Sequence, residues 1–327
     1  MFNTTMPARV LINEVATRDG FQSEASFVPT DEKIALIDHL SQVGLNKIEV
    51  TSFVSPRAIP NLRDAEEVMQ RITRNPQVCY TTLVPNEKGA ERAMACNADE
   101  INLAMSVSET HNLANMRMTC EESLSQFKRI CDLVAPSGMR INGSLATTFG
   151  CPFEGVLSAD KVLTLIERYL EAGIQSISLC DTTGMAAPQQ VYDLCTLVRS
   201  RFAHIELTLH LHNTRGMGLA NVMAGLSAGI NQFDASLGGI GGCPYAPGAT
   251  GNICTEDLVH MLEANGLDTQ VDLQQLIALA KQLPDLLGHD LPGQVAKAGL
   301  RTETRPVPAS VEELRKSKAT LAAAKPF

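Results

Sequence analysis

Short runs of mostly apolar, β-branched and long aliphatic residues recur along the chain. They alternate with longer stretches in which apolar positions return every three to four residues, the mark of buried strands separated by amphipathic helices. Eight runs read as strands: residues 10–15, 47–52, 78–84, 100–105, 140–147, 176–181, 206–212 and 232–237. Runs such as IEV, INLAM, ISL and LTLHL carry apolar residues on both parities, as strands covered on both faces do. Asp31, Ser123, Ser158 and Thr255 stand near the starts of helical stretches, where a side-chain oxygen can cap free N–H groups. Eight right-handed βα units close most simply into a barrel, so the predicted fold is α/β, a (β/α)8 TIM barrel with additional C-terminal helices. A doubly wound open sheet would carry a glycine-rich phosphate turn after its first strand, and ATRDGFQSE stands there instead. Past residue 266 the alternation stops. Residues 273–287 read as one further amphipathic helix, and the stretch from Arg301, rich in Pro, Lys and Ala, reads as a loose tail. The expected organisation is a catalytic barrel with its helix over 1–290 and a partly loose extension over 291–327.

Composition narrows the partners. A net charge of −9 with no Lys/Arg run repels phosphate backbones, which argues against nucleic acid. No window approaches the roughly 20 continuous apolar residues that a membrane span needs. Small anions stay compatible, because a bound metal and a few placed arginines reverse the local field. The nine cysteines (Cys79, Cys96, Cys120, Cys131, Cys151, Cys180, Cys195, Cys243, Cys254) are odd in number and form no C-x-x-C pair, the pattern of a reducing compartment. The start MFNTTMPARV has neither an apolar export core nor an Arg-rich amphipathic stretch, so the cytoplasm is the expected location.

In barrels of this kind reactive groups lie at the C-terminal ends of strands. Here Arg18 and Asp19 follow the first strand, Glu49 and Thr51-Ser52 lie on the second, Asp181 ends the sixth, and His210 and His212 end the seventh. Strand residues i and i+2 share a face about 7 Å apart, so the two imidazoles can chelate one ion. An isolated H-x-H is often a core feature and an Arg-Asp pair often a salt bridge. Their convergence on one barrel mouth favours a metal site made of Asp19, His210 and His212, with Asn252 as a fourth candidate. Carboxylate, imidazole and amide oxygen suit octahedral Mg2+ or Mn2+ better than a thiolate-rich structural zinc, although zinc stays open. The glycine-rich segment SLGGIGGCPYAPGATGN, 236–252, is either a plain surface connection or a mobile lid that brings the Cys243 thiol to the mouth as a proton donor or acceptor. Cys151, in FGCPFEG, also lies near the top, with nothing around it that argues for reactivity.

The motifs EVATRDGFQSE, IEVTSFVSP, FGCPFEG, SLCDTTG, HLHNTRG and GGIGGCPYAPGATGNICTEDLVHMLE run collinearly, and the chain from about Val10 to Leu287 resembles the hydroxymethylglutaryl-CoA lyase family. The R-D-x-x-Q start is shared with condensing relatives, the isopropylmalate and homocitrate synthases, which carry an acidic residue where this chain has Phe21. The resemblance implies a carbon–carbon lyase acting on a short branched 3-hydroxyacyl-CoA, with coenzyme A entering as part of the substrate. Asp19, His210 and His212 would hold a divalent metal, with Asn252 at or near it and Glu49 supporting it from behind. Arg18 would stabilise the developing enolate oxygen, Gln22 and Asp181 would line the reacting centre, and Cys243 would act as proton donor or relay. Glu256 would stand behind the ligands, and Ser108 and Glu109, in SVSETHN, would lie along the acyl-CoA channel. A homo-oligomer, dimer or higher, is the expected assembly.

The chain departs from the family pattern where a substrate's branch would be sensed. Asn213 replaces an acidic residue, Arg215 an aromatic one, and Asn142 and Ser144 stand where Arg and Tyr are usual. RDGFQSE also replaces the commoner RDGLQNE. These changes spare the metal set and bring in citramalyl-CoA, or another methyl-substituted malyl-CoA, as a rival substrate. An acetyl-CoA-dependent condensing enzyme and a non-catalytic metal- or CoA-binding barrel are the further readings.

Overall fold

The computed structural model describes residues 6–242 and 251–323, with side chains through 319. Eight parallel strands form a closed barrel in sequence order: β1 (Leu11–Glu14), β2 (Lys47–Ser52), β3 (Cys79–Leu83), β4 (Glu100–Ser106), β5 (Arg140–Ala146), β6 (Ser176–Asp181), β7 (Glu206–Leu211) and β8 (Gln232–Ala235). β2 and β6 have the predicted bounds, and the others differ by a residue or two at their ends. Every residue of β2 and of β6 is buried.

The two faces of these strands differ in chemistry. Ile48, Val50, Ile101, Leu103, Ile177 and Leu179 form one parity and belong to the fully buried apolar core. The other parity is polar and faces the lumen, where Lys47 pairs with Glu100 and Asn102 reaches Glu49, each across an intervening strand. Apolar character on both parities is therefore not what the strands show. Barrel lumens are commonly filled by branched aliphatic residues, and this one is filled by polar side chains that satisfy one another, as burial of polar groups demands. The space left between them is about 20 Å³, room for about one water molecule.

The connections follow local chemistry. Ser158 caps helix Ala159–Ala172 by accepting the Lys161 N–H at 3.3 Å. The other candidate caps are displaced. Thr119, not Ser123, caps helix Cys120–Val134, in a reciprocal box with Glu122. Asp31 lies in the first turn of helix Thr30–Leu40, after Pro29. Thr255 begins helix Thr255–Ala264 and sends its hydroxyl elsewhere. The single helix expected over 273–287 is two, Leu273–Ala280 and Leu283–Leu287, because Pro284 has no N–H to donate and its ring collides with the carbonyl four residues back.

The chain divides into two compact units, Met1–Lys297 and Ala298–Phe327. The second carries helix Ala309–Ala323, whose run of good helix formers follows Pro306 and Pro308. Among the described residues no helix is long and apolar enough to cross a membrane.

Candidate active site

Immediately after β1 the chain tightens into a π-helical turn, Ala16–Gly20, in which the N–H groups of Arg18, Asp19 and Gly20 all point at the Val15 carbonyl, at 3.2, 2.8 and 3.3 Å. Gly20 leaves room for the Ile240 side chain, which would have to shift for a Cβ there, since the two would lie 2.5 Å apart. The turn sets Arg18 and Asp19 side by side. Arg18 Nη1 donates to Asp19 Oδ1 at 2.6 Å, and its Nε and Nη2 both meet Glu49 Oε2 at 2.6 Å. Burial works against the guanidinium's charge, but the two carboxylates raise its pKa above the usual value. Burial alone would likewise push the Asp19 carboxyl up, yet Arg18, His210 and His212 hold it well below the ordinary range.

His210 and His212 come from β7 and its continuation. Their Nε2 atoms are 3.2 Å apart, and His210 Nε2 is 3.8 Å from Asp19 Oδ2. Asp19, His210 and His212 each offer a ligand atom, and the three atoms lie within 4.8 Å of one another. Asn252 arrives by backbone pairing. The Ile253 N–H donates to the Leu211 carbonyl at 3.0 Å and the Asn213 N–H to the Gly251 carbonyl at 3.1 Å, so Asn252 bridges His212. Its amide nitrogen donates to Asp19 Oδ2 at 2.7 Å and to the Ile240 carbonyl at 3.2 Å. Half a turn of that planar amide would present its oxygen to the same place.

Asp234, on β8, was not among the residues singled out by sequence. Its Oδ2 lies 3.2 Å from His210 Nδ1, and its Oδ1 accepts the Asn13 amide at 2.8 Å. With Nδ1–H donated to Asp234, His210 turns the lone pair of Nε2 toward Asp19 and His212, the arrangement that prepares an imidazole to bind metal. Burial lowers the His210 pKa, but Asp234 and Asp19 more than offset it. The donor set fits a divalent cation: two inward-facing imidazole nitrogens and a carboxylate kept ionised, all in ligand reach of one point.

Below this cluster runs a hydrogen-bonded chain across the lumen. Glu49 Oε1 accepts the Asn102 amide at 3.0 Å; Asn102 Oδ1 accepts Asn142 Nδ2 at 3.0 Å and the Ser144 hydroxyl at 2.8 Å. Asn142 is held in turn by Ser178 at 3.0 Å and Ser176 at 2.9 Å. Asn142 and Ser144 are thus buried and brace Glu49 through Asn102.

Asp181 closes β6. Its Oδ1 accepts the Met185 and Ala186 N–H groups at 2.7 and 3.0 Å, while its buried Oδ2 has no hydrogen-bond partner among the described residues. Arg215 braces the same turn by donating to the Thr183 and Gly184 carbonyls at 3.0 and 2.8 Å. Burial pushes the Asp181 carboxyl up to about 7, against the pull of those two N–H groups. The folded protein therefore holds this proton more tightly than the unfolded chain, and the stabilising contribution is whole below pH 4 and lost as pH climbs toward 7. Metal-stripped Asp181→Asn has no such loss, so its stability relative to the native protein should rise by about 2–4 kcal/mol between pH 4 and pH 8. Parallel melting curves across that range would sink the idea.

The remaining candidates make contacts of their own, apart from the cluster of Asp19, His210 and His212. Gln22 is half-buried one turn beyond Asp19, with its carbonyl taking the Asn61 amide at 3.4 Å. Ser108 caps helix Glu109–Met116 and accepts the Cys151 thiol at 3.0 Å; Glu109 accepts the Cys120 N–H at 3.1 Å. Asn213 accepts the Gly218 N–H at 3.0 Å, opening the next helix. Glu256 is fully buried and accepts the Gly238 N–H at 3.0 Å. Cys243 lies outside the described residues.

Comparisons with known proteins identify the family. The family model described as HMGL-like matches residues 9–283. The chain is 43% identical over 288 residues to the hydroxymethylglutaryl-CoA lyase of Bacillus subtilis, covering 88% of this chain and 96% of that one. It is 40% identical over 300 residues to the (R)-citramalyl-CoA lyase of Chloroflexus aurantiacus, covering 89% and 95%. Among solved structures, an HMG-CoA lyase from Acinetobacter baumannii in complex with coenzyme A and 3-methylmalate superposes with a TM-score of 0.89 at 54% identity, over 92% of this chain and 98% of that one. Family match and strand-end chemistry converge: the chain belongs to the HMGL-like family of hydroxymethylglutaryl-CoA lyases and is a carbon–carbon lyase.

Proposed function

We propose that this lyase cleaves the C2–C3 bond of a short branched 3-hydroxyacyl-CoA. The parent reaction converts 3-hydroxy-3-methylglutaryl-CoA to acetyl-CoA and acetoacetate. The observation that carries the reading is the convergence of Asp19, His210 and His212 beside the Arg18 guanidinium. Asp19, His210 and His212, with Asn252 as a further candidate, would hold a Mg2+ or Mn2+, which would supply Lewis acidity toward the substrate's hydroxyl and a neighbouring carboxylate. Asp19, whose carboxylate keeps a second oxygen besides the one that would face the cation, takes the proton of the C3 hydroxyl; the electrons of the broken O–H bond form the ketone, and the C2–C3 pair leaves as a thioester enolate. Arg18, fixed by Glu49, faces the negative charge that appears on the thioester oxygen. Asp181 and Gln22 line the reacting centre, and Cys243 returns a proton to C2. Cys243→Ala should therefore keep native metal affinity and lose about 10²-fold or more in turnover. Equal turnover of the two proteins would remove that thiol from the mechanism.

A second substrate reading has specific support. One relative is named for (R)-citramalyl-CoA, a similar structure holds 3-methylmalate, and this chain ties the short polar side chains of Asn142 and Ser144 to Glu49 through Asn102, with Arg215 by the Asp181 turn. A methyl-substituted malyl-CoA is thus the rival substrate. Incubating the Mn2+-loaded protein with hydroxymethylglutaryl-CoA, both citramalyl-CoA enantiomers and methylmalyl-CoA, and identifying the keto acid released, decides between them. No keto acid from any of the four would defeat the lyase reading. The eight described cysteines are all free thiols, which supports a reducing, cytoplasmic setting. The working assembly is a homo-oligomer, dimer or higher.

A further inference from the structure

Glu14 has no exposed surface, and its carboxylate lies where three segments distant in sequence meet. Oε1 accepts the Ala16 N–H at 2.8 Å and the Leu237 N–H at 2.9 Å, while Oε2 accepts the Thr255 hydroxyl at 2.8 Å. Each donor belongs to a segment that carries or holds Asp19 or Asn252. Ala16 opens the turn that carries Arg18 and Asp19. Leu237 opens the turn Leu237–Gly239, which leads to Ile240, whose carbonyl takes the Asn252 amide. Thr255 follows Asn252 by three residues and begins the next helix. Glu256 reinforces the second segment by accepting the Gly238 N–H, and the segments cross so closely that a Cβ on Gly251 would lie 1.9 Å from the Gly239 carbonyl oxygen.

None of the three groups that donate to Glu14 is a metal ligand, and Glu14 contributes no atom to the cluster. A buried carboxylate is costly to keep, and burial pushes this one up to about 7 even with three donors around it. The mechanism makes no use of its acidity. What the carboxylate does is join the turn bearing Asp19 to both ends of the connection bearing Asn252. We propose that Glu14 is a positioning residue that sets the mutual placement of Asp19 and Asn252, and through it the affinity of the cluster for its divalent cation. The inference rests on the metal-site reading above.

Isosteric replacement separates geometry from charge. In Glu14→Gln the amide oxygen still accepts both backbone N–H groups, and the amide nitrogen donates to the Thr255 hydroxyl, which can accept as well as donate. All three links survive without the charge. Glu14→Ala removes all of them, and Thr255→Val removes one. The experiment is calorimetric titration of chelator-stripped protein with Mn2+, alongside melting curves. Glu14→Ala should weaken Mn2+ binding by about 10-fold or more and Thr255→Val by less, while Glu14→Gln stays within about threefold of native, in the range seen when groups behind metal ligands are lost. If the native protein fails to bind Mn2+, the metal reading falls. If it binds and Thr255→Val and Glu14→Ala match it, the clamp alone is overturned. Equal weakening in Glu14→Gln and Glu14→Ala also overturns it, because the charge would then be acting. Should Glu14→Ala not fold, Thr255→Val decides: weaker binding at an unchanged melting temperature supports the clamp, and native affinity refutes it.

Discussion

His210→Ala protein, stripped of metal and titrated with Mn2+, is expected to bind at least about 100-fold more weakly than native protein, a loss of roughly 2.7 kcal/mol, and to lose turnover at least in proportion. The size follows from what the side chain does. His210 Nε2 is one of three ligand atoms within 4.8 Å of one another, and Asp234 fixes its direction through Nδ1. Alanine removes the nitrogen and leaves Asp234 with one fewer donor. Surface water can occupy the vacated position, but it brings none of the preorganisation that a buried, oriented imidazole supplies. Turnover suffers twice, because weaker metal binding is joined by misplacement of whatever cation still binds relative to Asp19 and Arg18. Saturating Mn2+ should restore only part of the rate. Native Mn2+ affinity in this variant would place the ion elsewhere and take the reading of the whole site with it.

Much of this site is legible in the sequence, because strand ends in a parallel barrel share one mouth and residues two apart on a strand share one face. That geometry singles out Asp19, His210 and His212 without knowledge of any contact. What escapes is the layer that orients them. Asp234 is one acid in the middle of a four-residue strand, and its meaning depends on lying in register with His210 on the neighbouring strand. Asn102 supports Glu49 from 53 residues away across the lumen, a relation no local pattern carries. In IEV and ISL the apolar residues share one parity and Glu49 or Ser178 stands between them, so these runs alternate as written and are not apolar on both faces. In the longer strand Lys47–Ser52 the alternation of lumen and helix faces is plain. The break inside 273–287 is different in kind, since Pro284 announces it and the amphipathic period merely continues past it. Likewise Thr119 and Glu122 form a local capping signature that outweighs the nearer Ser123. Asn142 and Ser144 show the same limit from the other side. Their positions mark a change in the pocket region, while only the structure shows them tied to Glu49 through Asn102.

The Arg18→Met variant should separate binding from chemistry in the direction opposite to His210→Ala. Arg18 is bonded to Asp19 and Glu49, whose side chains are 15% and 5% exposed. Removing the guanidinium leaves two buried carboxylates without their cation, which in the metal-free protein should cost about 3–5 kcal/mol of stability. The same change makes the local field more negative and frees the Asp19 oxygen that Arg18 engages. A divalent cation then becomes the main compensating charge, so Mn2+ affinity should stay at the native level or rise, and Mn2+ should recover much of the lost melting temperature. Turnover should nonetheless fall by about 10²–10³, because the donor aimed at the developing enolate oxygen is gone and a bound cation at Asp19 does not replace it. Steady-state rates at saturating Mn2+ test this directly. A variant that turns over at the native rate would show that the guanidinium serves only to hold Asp19 and Glu49 apart, and the charge on the enolate would need another counterpart.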